Sequence, residues 1–329
     1  MVRINMGCQV KMNSRILTFY NEALSMYCGE VISSPRMAII YPVYGCNFNC
    51  RGCLCSDYNQ EKIYMDYEKF KTLALQLKAQ GVRSVEFCGG GEPLLHPRVN
   101  EMISWITNRL HLDFGVMTNG SLLTDELSYT ILTRAKYIRI SLYVNSYQAV
   151  IKKVKKLIEL KKELGSETII GAKFLIDGDT KEQVVEMIKN CKEVGVDHIS
   201  VKALRGENEE IVDLQDTEDE INSLGIENLS CNLKKTKLTE PCWLSPIHTL
   251  IDPLGDVYIC CYYMDRKEDH CIGNVFEKPF SEIWGSSTHC KKISCIDMDK
   301  CNVYDCRWHT YNSELKELFQ NNKMQHEFC

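Results

Sequence analysis

Three cysteines define the chemistry to look for: Cys46, Cys50 and Cys53, in the stretch YGCNFNCRGCLCS from Tyr44 to Ser56. Their C-x3-C-x2-C spacing puts three thiolates on one turn-like segment, where they can share one face of a metal cluster. Three ligands for a four-iron cluster leave one iron open, whereas a cluster that only carries electrons is closed by four cysteines. An open iron can bind a substrate or cofactor directly. Cys55 is a further thiol beside the motif. As a fourth ligand it would close the open position, and a spare buried thiol is the simpler reading.

A second concentration of thiols lies from residue 242 onward, with Cys242, Cys260, Cys261, Cys271, Cys290, Cys295, Cys301, Cys306 and Cys329. A segment this rich in thiols and this poor in long apolar runs needs a metal centre to hold it together. Between Cys242 and Cys260 the chain reads CWLSPIHTLIDPLGDVYIC. Pro253-Leu254-Gly255-Asp256 is a turn between two apolar strands, and the hairpin folds its terminal cysteines back towards each other. Four thiolates suit zinc as well as an iron-sulfur cluster.

The elements that must position these groups follow from periodicity. Ala38 to Val43 (AIIYPV) is a short apolar run that reads as a buried strand delivering the first cysteines to its C-terminal end. Asp66–Gln80 then shows helical spacing of Phe70, Leu73, Ala74 and Leu77 and stops at Gly81. Strands are expected at Ser84–Cys88, Leu112–Met117, Tyr137–Leu142, Thr168–Ile176 and His198–Ala203. Helices are expected at Arg98–Arg109, Thr124–Ala135, Ala149–Leu164 and Lys181–Val194. Six strands alternating with helices imply an α/β fold with a parallel sheet and helices packed outside it. Residues 1–37 are a poorly patterned lead-in with one short helix at Ile16–Tyr27, and 205–241 an acidic connector reading as a solvated face.

The chain has 329 residues, 44% apolar and 25% charged, with a net charge of -5 and 18 cysteines. It is long enough to bury a core of its own, without disulfide staples. No apolar run is long enough to span a bilayer, and no secretory signal opens the sequence, so a cytoplasmic location with reduced thiols is expected. In that compartment the cysteines point to metal or redox chemistry. The acidic balance offers no field for nucleic acid, and no membrane partner is expected.

Taken together these motifs resemble the radical S-adenosylmethionine (SAM) enzymes. Cys46, Cys50 and Cys53 match the cysteines that hold that family's [4Fe-4S] cluster. The resemblance implies that the open iron is chelated by the amino and carboxylate groups of SAM, and that one electron cleaves SAM to methionine and a 5′-deoxyadenosyl radical. It also implies that the sheet curls into a partial (β/α)6 barrel over residues 38–204. Gly89-Gly90-Gly91-Glu92-Pro93 resembles the GGEP motif whose backbone meets the SAM amino group. Thr118-Asn119-Gly120 and Arg139-Ile140-Ser141-Leu142 resemble common sequences at later strand ends. The SAM-binding residues implied are Phe48, Gly52, Gly89, Gly90, Gly91, Glu92, Asn119 and Ser141; Lys173, Lys202 and Arg205, on or just beyond strands five and six, are cations placed to meet the SAM carboxylate or an acidic substrate. Gly52 stands where the family commonly has an aromatic residue, so backbone contact to adenine replaces ring packing there.

Residues 242–329 resemble the SPASM and twitch domains, a small cysteine-rich α+β unit with an auxiliary [4Fe-4S] cluster. The resemblance assigns Cys242, Cys260, Cys301 and Cys306 to one auxiliary cluster, and leaves Cys290, Cys295 and Cys329 for a second. Full SPASM domains carry C-x2-C-x5-C-x3-C. This chain has Cys295-x5-Cys301-x4-Cys306 without the leading pair.

The implied activity is hydrogen abstraction followed by oxidation, if the auxiliary cluster takes the substrate electron, or epimerisation, if a thiol returns hydrogen. Cys261 and Cys271 are the candidate donors. A reductant such as flavodoxin or ferredoxin is implied as partner. The lack of a leader-binding domain favours a small polar substrate of sugar or aminocyclitol type over a ribosomal peptide, the alternative. A reading of another class is a non-catalytic iron-sulfur electron carrier or redox sensor.

Overall fold

The computed structural model describes Ala23 and residues 34–204, 214–233, 242–301, 306 and 308–321. Arg205, Cys329 and, apart from Ala23, the expected helix at Ile16–Tyr27 lie outside the described residues. The chain opens with β1 (Met37–Ile40), β2 (Val43–Tyr44) and β3 (Ile63–Tyr64). Then α1 (Tyr67–Ala79), β4 (Ser84–Phe87), α2 (Val99–Ser104), β5 (Asp113–Thr118), α3 (Asp125–Arg134) and β6 (Tyr137–Ser141) alternate. The alternation continues through α4 (Tyr147–Leu164), β7 (Ile169–Ile176), α5 (Lys181–Val194), β8 (His198–Ala203), α6 (Gln215–Ser223) and β9 (Leu229–Asn232). Past residue 242 come β10 (His248–Ile251), β11 (Asp256–Tyr258), β12 (Cys271–Asn274), α7 (Ser287–Ser294) and α8 (His309–Asn321).

Ten strands form one sheet in the order β12-β11-β10-β1-β4-β5-β6-β7-β8-β9. From β10 to β9 every neighbour is parallel, and β11 and β12 add antiparallel. This is the expected α/β architecture, with the cysteine-rich hairpin joined to it edge-on through β10. Local chemistry sets the element ends. Asp66 accepts from the Lys69 amide at 2.9 Å and Thr124 from the Leu127 amide at 3.2 Å, each satisfying a first-turn donor that the helix leaves open. Gly165 and Gly195 take the left-handed conformation that ends α4 and α5.

Alternation along the strands separates the two faces of the sheet. Ile138 and Ile140, Ile170, Ala172, Phe174 and Ile176, and Ile199, Val201 and Ala203 all enter the main core beneath the helices. Arg139, Ser141, Lys173 and Lys202 alternate with them on the opposite face and are only partly buried. The polar face therefore lines the inside of the curved sheet.

Three local departures from expectation have physical causes. The first strand stops at Ile40, because Pro42 has no amide to continue the ladder and its carbonyl instead accepts from Met65 at 2.9 Å. The helix expected over Arg98–Arg109 changes at Trp105 into a π-helical turn. In the acidic connector, Leu229–Asn232 pairs parallel with β8 as one more strand, which its short, polar-flanked run does not announce.

A separate buried cluster joins the first cysteine loop to the hairpin. It contains Ile39, Tyr41, Tyr44, Cys55, Leu250, Tyr258 and Tyr263. Tyr44 donates to Asp252 at 2.8 Å, Tyr258 donates to it at 3.3 Å, and the Tyr44 and Tyr263 hydroxyls lie 2.7 Å apart. Burial, with Asp256 nearby, raises the Asp252 carboxyl from its ordinary 3.8 to about 6. A folded-state value above the unfolded one means that the protonated carboxyl lends stability fully below about 3.8, and that this is lost as pH rises through about 6. The loss is on the order of 3 kcal/mol. Asp252→Asn should therefore gain in thermal midpoint relative to the wild type as pH is raised from 4 to 7, and an unchanging difference would contradict this assignment.

Candidate SAM and iron-sulfur sites

The first site begins where β2 pairs with β3, Val43 opposite Tyr64 and Tyr44 opposite Ile63, closing the cysteine loop at its base. Within it the Cys46 amide donates to Asn59 at 3.0 Å and the Cys53 amide to the Cys50 carbonyl at 3.2 Å. These bonds wind the loop into turns and leave Cys46, Cys50 and Cys53 as free, partly exposed thiols. Burial pushes Cys50 up to about 11, with Cys53 and Cys46 adding to it, and burial followed by Glu92 and Cys53 raises Cys46. Thiolates so crowded repel one another until a cationic group is placed among them, as the iron of a cluster would be. The donor set fits the group.

A backbone contact locks the glycine-rich turn onto this loop. Gly45 and Gly91 form a parallel bridge, and the Glu92 amide donates to the Gly45 carbonyl at 2.9 Å. A Cβ on Gly91 would stand 1.9 Å from that carbonyl oxygen. At Gly89 and Gly90, where φ is positive, a Cβ would meet the Tyr41 ring at 2.7 Å. The sequence reading gives these glycines to ligand approach; the structure shows that they also admit the loop and a tyrosine.

Glu92 is buried and its carboxylate is already engaged. It accepts from the Thr118 hydroxyl at 2.6 Å, the Asn119 amide at 2.7 Å and the Leu94 amide at 3.1 Å. Its side chain thus fixes the end of β5 beside the cysteine loop, where Asn119 donates to Asn47 at 2.9 Å. Phe48 donates its amide to the Cys46 sulfur at 3.4 Å, and its ring stands edge-on to Tyr143. Tyr143, which sequence reasoning missed, hydrogen-bonds Cys50. Gly52 takes a positive φ of 67°. Ser141 and Lys173 are register partners on β6 and β7, and Lys202 lies on β8 opposite Leu175.

Beside the loop opens a cavity of about 570 Å³, lined by Asn47, Phe48, Asn49, Cys50, Tyr143, Asn145, Asp177, Thr180 and Gln183 among others. At its rim Arg51 pairs with Asp177 and Asp179, each at 3.3 Å. Arg51 is well exposed, so these pairs contribute about 0–1 kcal/mol and orient the rim more than they stabilise it.

The second site gathers Cys242, Cys260, Cys301 and Cys306 around one cavity, with His248, Tyr262, Arg266, His270 and Trp308 in its wall. Burial, then Cys301, raises Cys242 to about 11; burial, then Cys242, raises Cys306 to about 12. A hydrogen bond with Cys261, then burial, raises Cys260. Cys261 also faces Tyr41, which puts it between this cavity and the tyrosine cluster. Cys271, on β12 opposite Tyr258, directs its thiol to the Gly273 carbonyl at 3.7 Å. Cys290 and Cys295 are exposed and do not line the cavity. Among the described residues no three His, Cys, Asp or Glu side chains close around a single ion. A four-iron cluster holds its thiolates at its corners, farther apart than around one metal.

The sequence profile of the Radical SAM superfamily matches residues 40–217, more than half of the chain, and that of the SPASM iron-sulfur cluster-binding domain matches residues 242–307. The chain belongs to the radical SAM superfamily. As a radical SAM enzyme with a SPASM domain it binds SAM and [4Fe-4S] clusters, and the electron-carrier reading gives way. Among curated proteins it is similar to a tungsten-containing aldehyde ferredoxin oxidoreductase cofactor-modifying protein of Pyrococcus furiosus, 29% identical over 175 residues, 48% of this chain and 49% of that one. The chain spans about half the length of the curated relatives it matches. In fold it resembles SuiB of Streptococcus suis bound to its precursor peptide SuiA, with a TM-score of 0.65, 15% identity, and 90% of this chain and 75% of that one covered. It also resembles anSMEcpe with bound AdoMet and a Cp18Cys peptide, with a TM-score of 0.59, 15% identity, and 88% and 97% covered. No helix among the described residues is long and apolar enough to cross a membrane.

Anaerobically reconstituted protein should carry about eight irons per chain, and the triple variant Cys46→Ala, Cys50→Ala, Cys53→Ala about four. Zinc in place of the remaining iron, or about twelve irons in the wild type, would contradict a single auxiliary [4Fe-4S] cluster. Gly91→Ala should lose the barrel iron by displacing the cysteine loop, while Gly171→Ala, whose Cβ meets nothing closer than 3.6 Å, should keep it. Equal iron in both variants would refute the locking role of the Gly45–Gly91 contact.

Proposed function

We propose that this radical SAM enzyme modifies a peptide by hydrogen abstraction, with Cys46, Cys50 and Cys53 holding the SAM cluster. When bound and reduced, the cluster and SAM supply a 5′-deoxyadenosyl radical able to take hydrogen from an unactivated carbon. Glu92 orders Thr118 and Asn119 at the end of β5, and Asn119 and Asn47 brace each other at the loop. Phe48 and Tyr143 contact the thiols of Cys46 and Cys50. These groups position the cofactors; the cavity beside them selects the substrate.

The observation that carries the peptide reading is the lining of that cavity. Asn49, Asn145 and Gln183, all amide-bearing, line it together with Cys50, Asp177 and Thr180, while the Asn47 amide in the same wall is held by Ser121 and Asn119. Amides offer both donors and acceptors, the complement of a peptide main chain. Two proteins of similar fold, SuiB and anSMEcpe, were crystallised with peptides. This favours a peptide over the small polar substrate expected from the sequence. A small polar molecule stands as the second reading, supported by the charged rim of Arg51, Asp177 and Asp179 and by a curated relative named for modifying a cofactor.

Oxidation is the favoured outcome, because Cys242, Cys260, Cys301 and Cys306 line one cavity, and a cluster on these four thiolates would accept the substrate electron. Epimerisation would need Cys261 or Cys271 to return hydrogen. A flavodoxin or ferredoxin would supply the reducing electron. The test is 5′-deoxyadenosine formation with reductant and SAM, against a library of short peptides and a panel of sugars and aminocyclitols, with deuterated hits. Peptide-dependent cleavage, with deuterium carried into 5′-deoxyadenosine, is the expected result. Stimulation by small polar molecules alone would overturn the peptide reading, and no cleavage under any condition would overturn hydrogen abstraction.

A further inference from the structure

The wall of the second cavity contains a group that the four cysteines do not explain. His248 opens β10, is 1% exposed, and among the described residues has no hydrogen-bond partner for either ring nitrogen. Its ring lies against Trp308 with centroids 5.0 Å apart. Leaving one buried N–H unpaired costs about 1–3 kcal/mol. An apolar residue of similar size would avoid that cost on this strand, where Thr249, Leu250 and Ile251 are also buried. The ring nitrogens therefore have use for a partner inside the cavity.

The rest of the wall indicates what kind of partner. Arg266 is 6% exposed, and its guanidinium donates to the carbonyls of Tyr262 at 2.9 Å and Asp297 at 3.4 Å, which anchors a positive charge at the cavity. His270 is 2% exposed and its Nδ1 has no partner among the described residues. No carboxylate stands among the described residues that line the cavity. Thiols, imidazoles and a buried cation, without an acid, suit an anionic, sulfur-rich group. A [4Fe-4S] cluster on four thiolates is such a group, and hydrogen bonds to its sulfurs stabilise the more negative, reduced state.

We propose that His248 donates a ring N–H to a sulfur of the auxiliary cluster held by Cys242, Cys260, Cys301 and Cys306, and that this bond raises the cluster's reduction potential. The inference rests on the reading of this cavity as an iron-sulfur site. Four cysteines already satisfy four irons, so the imidazole acts as a positioning and tuning group and not as an iron ligand. Arg266 works in the same direction by its charge, which makes the site a better electron acceptor.

The test uses the full chain carrying Cys46→Ala, Cys50→Ala and Cys53→Ala, so that only the auxiliary cluster is observed. Electron spin-echo spectroscopy of the reduced cluster, with histidine labelled by nitrogen-15, should show a weak histidine coupling that His248→Leu abolishes. Potentiometric titration should give a lower potential in His248→Leu, restored towards the starting value in His248→Gln, which keeps an N–H donor. Absence of a histidine coupling before His248 is replaced, or its persistence in His248→Leu, would overturn the proposal. A strong coupling typical of direct iron coordination would also overturn it, as would equal potentials in all three proteins. Where His248→Leu fails to retain iron, the labelled cluster and the His248→Gln comparison still decide. If the triple cysteine background holds no cluster at all, the iron-sulfur reading of the cavity fails, and the inference falls with it.

Discussion

Strand β1 is the constraint on which both cysteine sites depend. Met37–Ile40 hydrogen-bonds in parallel register to β4 on one side and to β10 on the other. Since the three strands run the same way, the segments that leave their C-terminal ends gather at one place. There Tyr41 fills the space left by Gly89 and Gly90, Gly45 bridges Gly91, and Tyr44 reaches Asp252. A slip of one residue in either pairing would turn Ala38 and Ile40 away from the main core and break all three contacts together.

The strand beside it, β10, links this place to the auxiliary cavity. His248 begins the strand and lines that cavity, while Asp252 follows its last residue and anchors the phenol network. Four residues of extended chain span about 13 Å. A short, fully buried strand therefore fixes the separation between the groups that brace the SAM loop and the groups that surround the second set of thiols. Cys261, placed between Tyr41 and the auxiliary cysteines, lies on the same bridge. The barrel and the cysteine-rich hairpin are thus held as one positioned unit, with the proposed site of radical formation at one end and the proposed electron sink at the other.

What the sequence made legible was local. The C-x3-C-x2-C spacing, the helical spacing of Phe70, Leu73, Ala74 and Leu77 and the strand at Tyr137–Leu142 all depend on near neighbours in the chain, and they were readable for that reason. The hairpin at Pro253–Asp256 was equally readable and pairs as expected, Leu250 opposite Tyr258 and Ile251 opposite Val257. Long-range partners were not. Nothing in its own surroundings marks Tyr143 as a hydrogen-bond partner of Cys50, or Asp252 as the acceptor of Tyr44, since each is defined by a residue far away in sequence. Glu92 was read as part of a motif whose backbone meets SAM; that its carboxylate also accepts from Thr118, Asn119 and Leu94 depends on residues beyond the motif. Nothing near His248 in the sequence marks it either, since what sets it apart is that both of its ring nitrogens are buried and lack a partner among the described residues.

The central claim is that the barrel loop holds a cluster with one iron open to SAM, and electron-nuclear double resonance on the reduced wild-type protein tests it most directly. SAM carrying nitrogen-15 in its amino group and oxygen-17 in its carboxylate should give couplings of directly bound ligands, and these should vanish when Cys46, Cys50 and Cys53 are replaced. A cluster signal indifferent to SAM, with neither coupling present, would contradict the account.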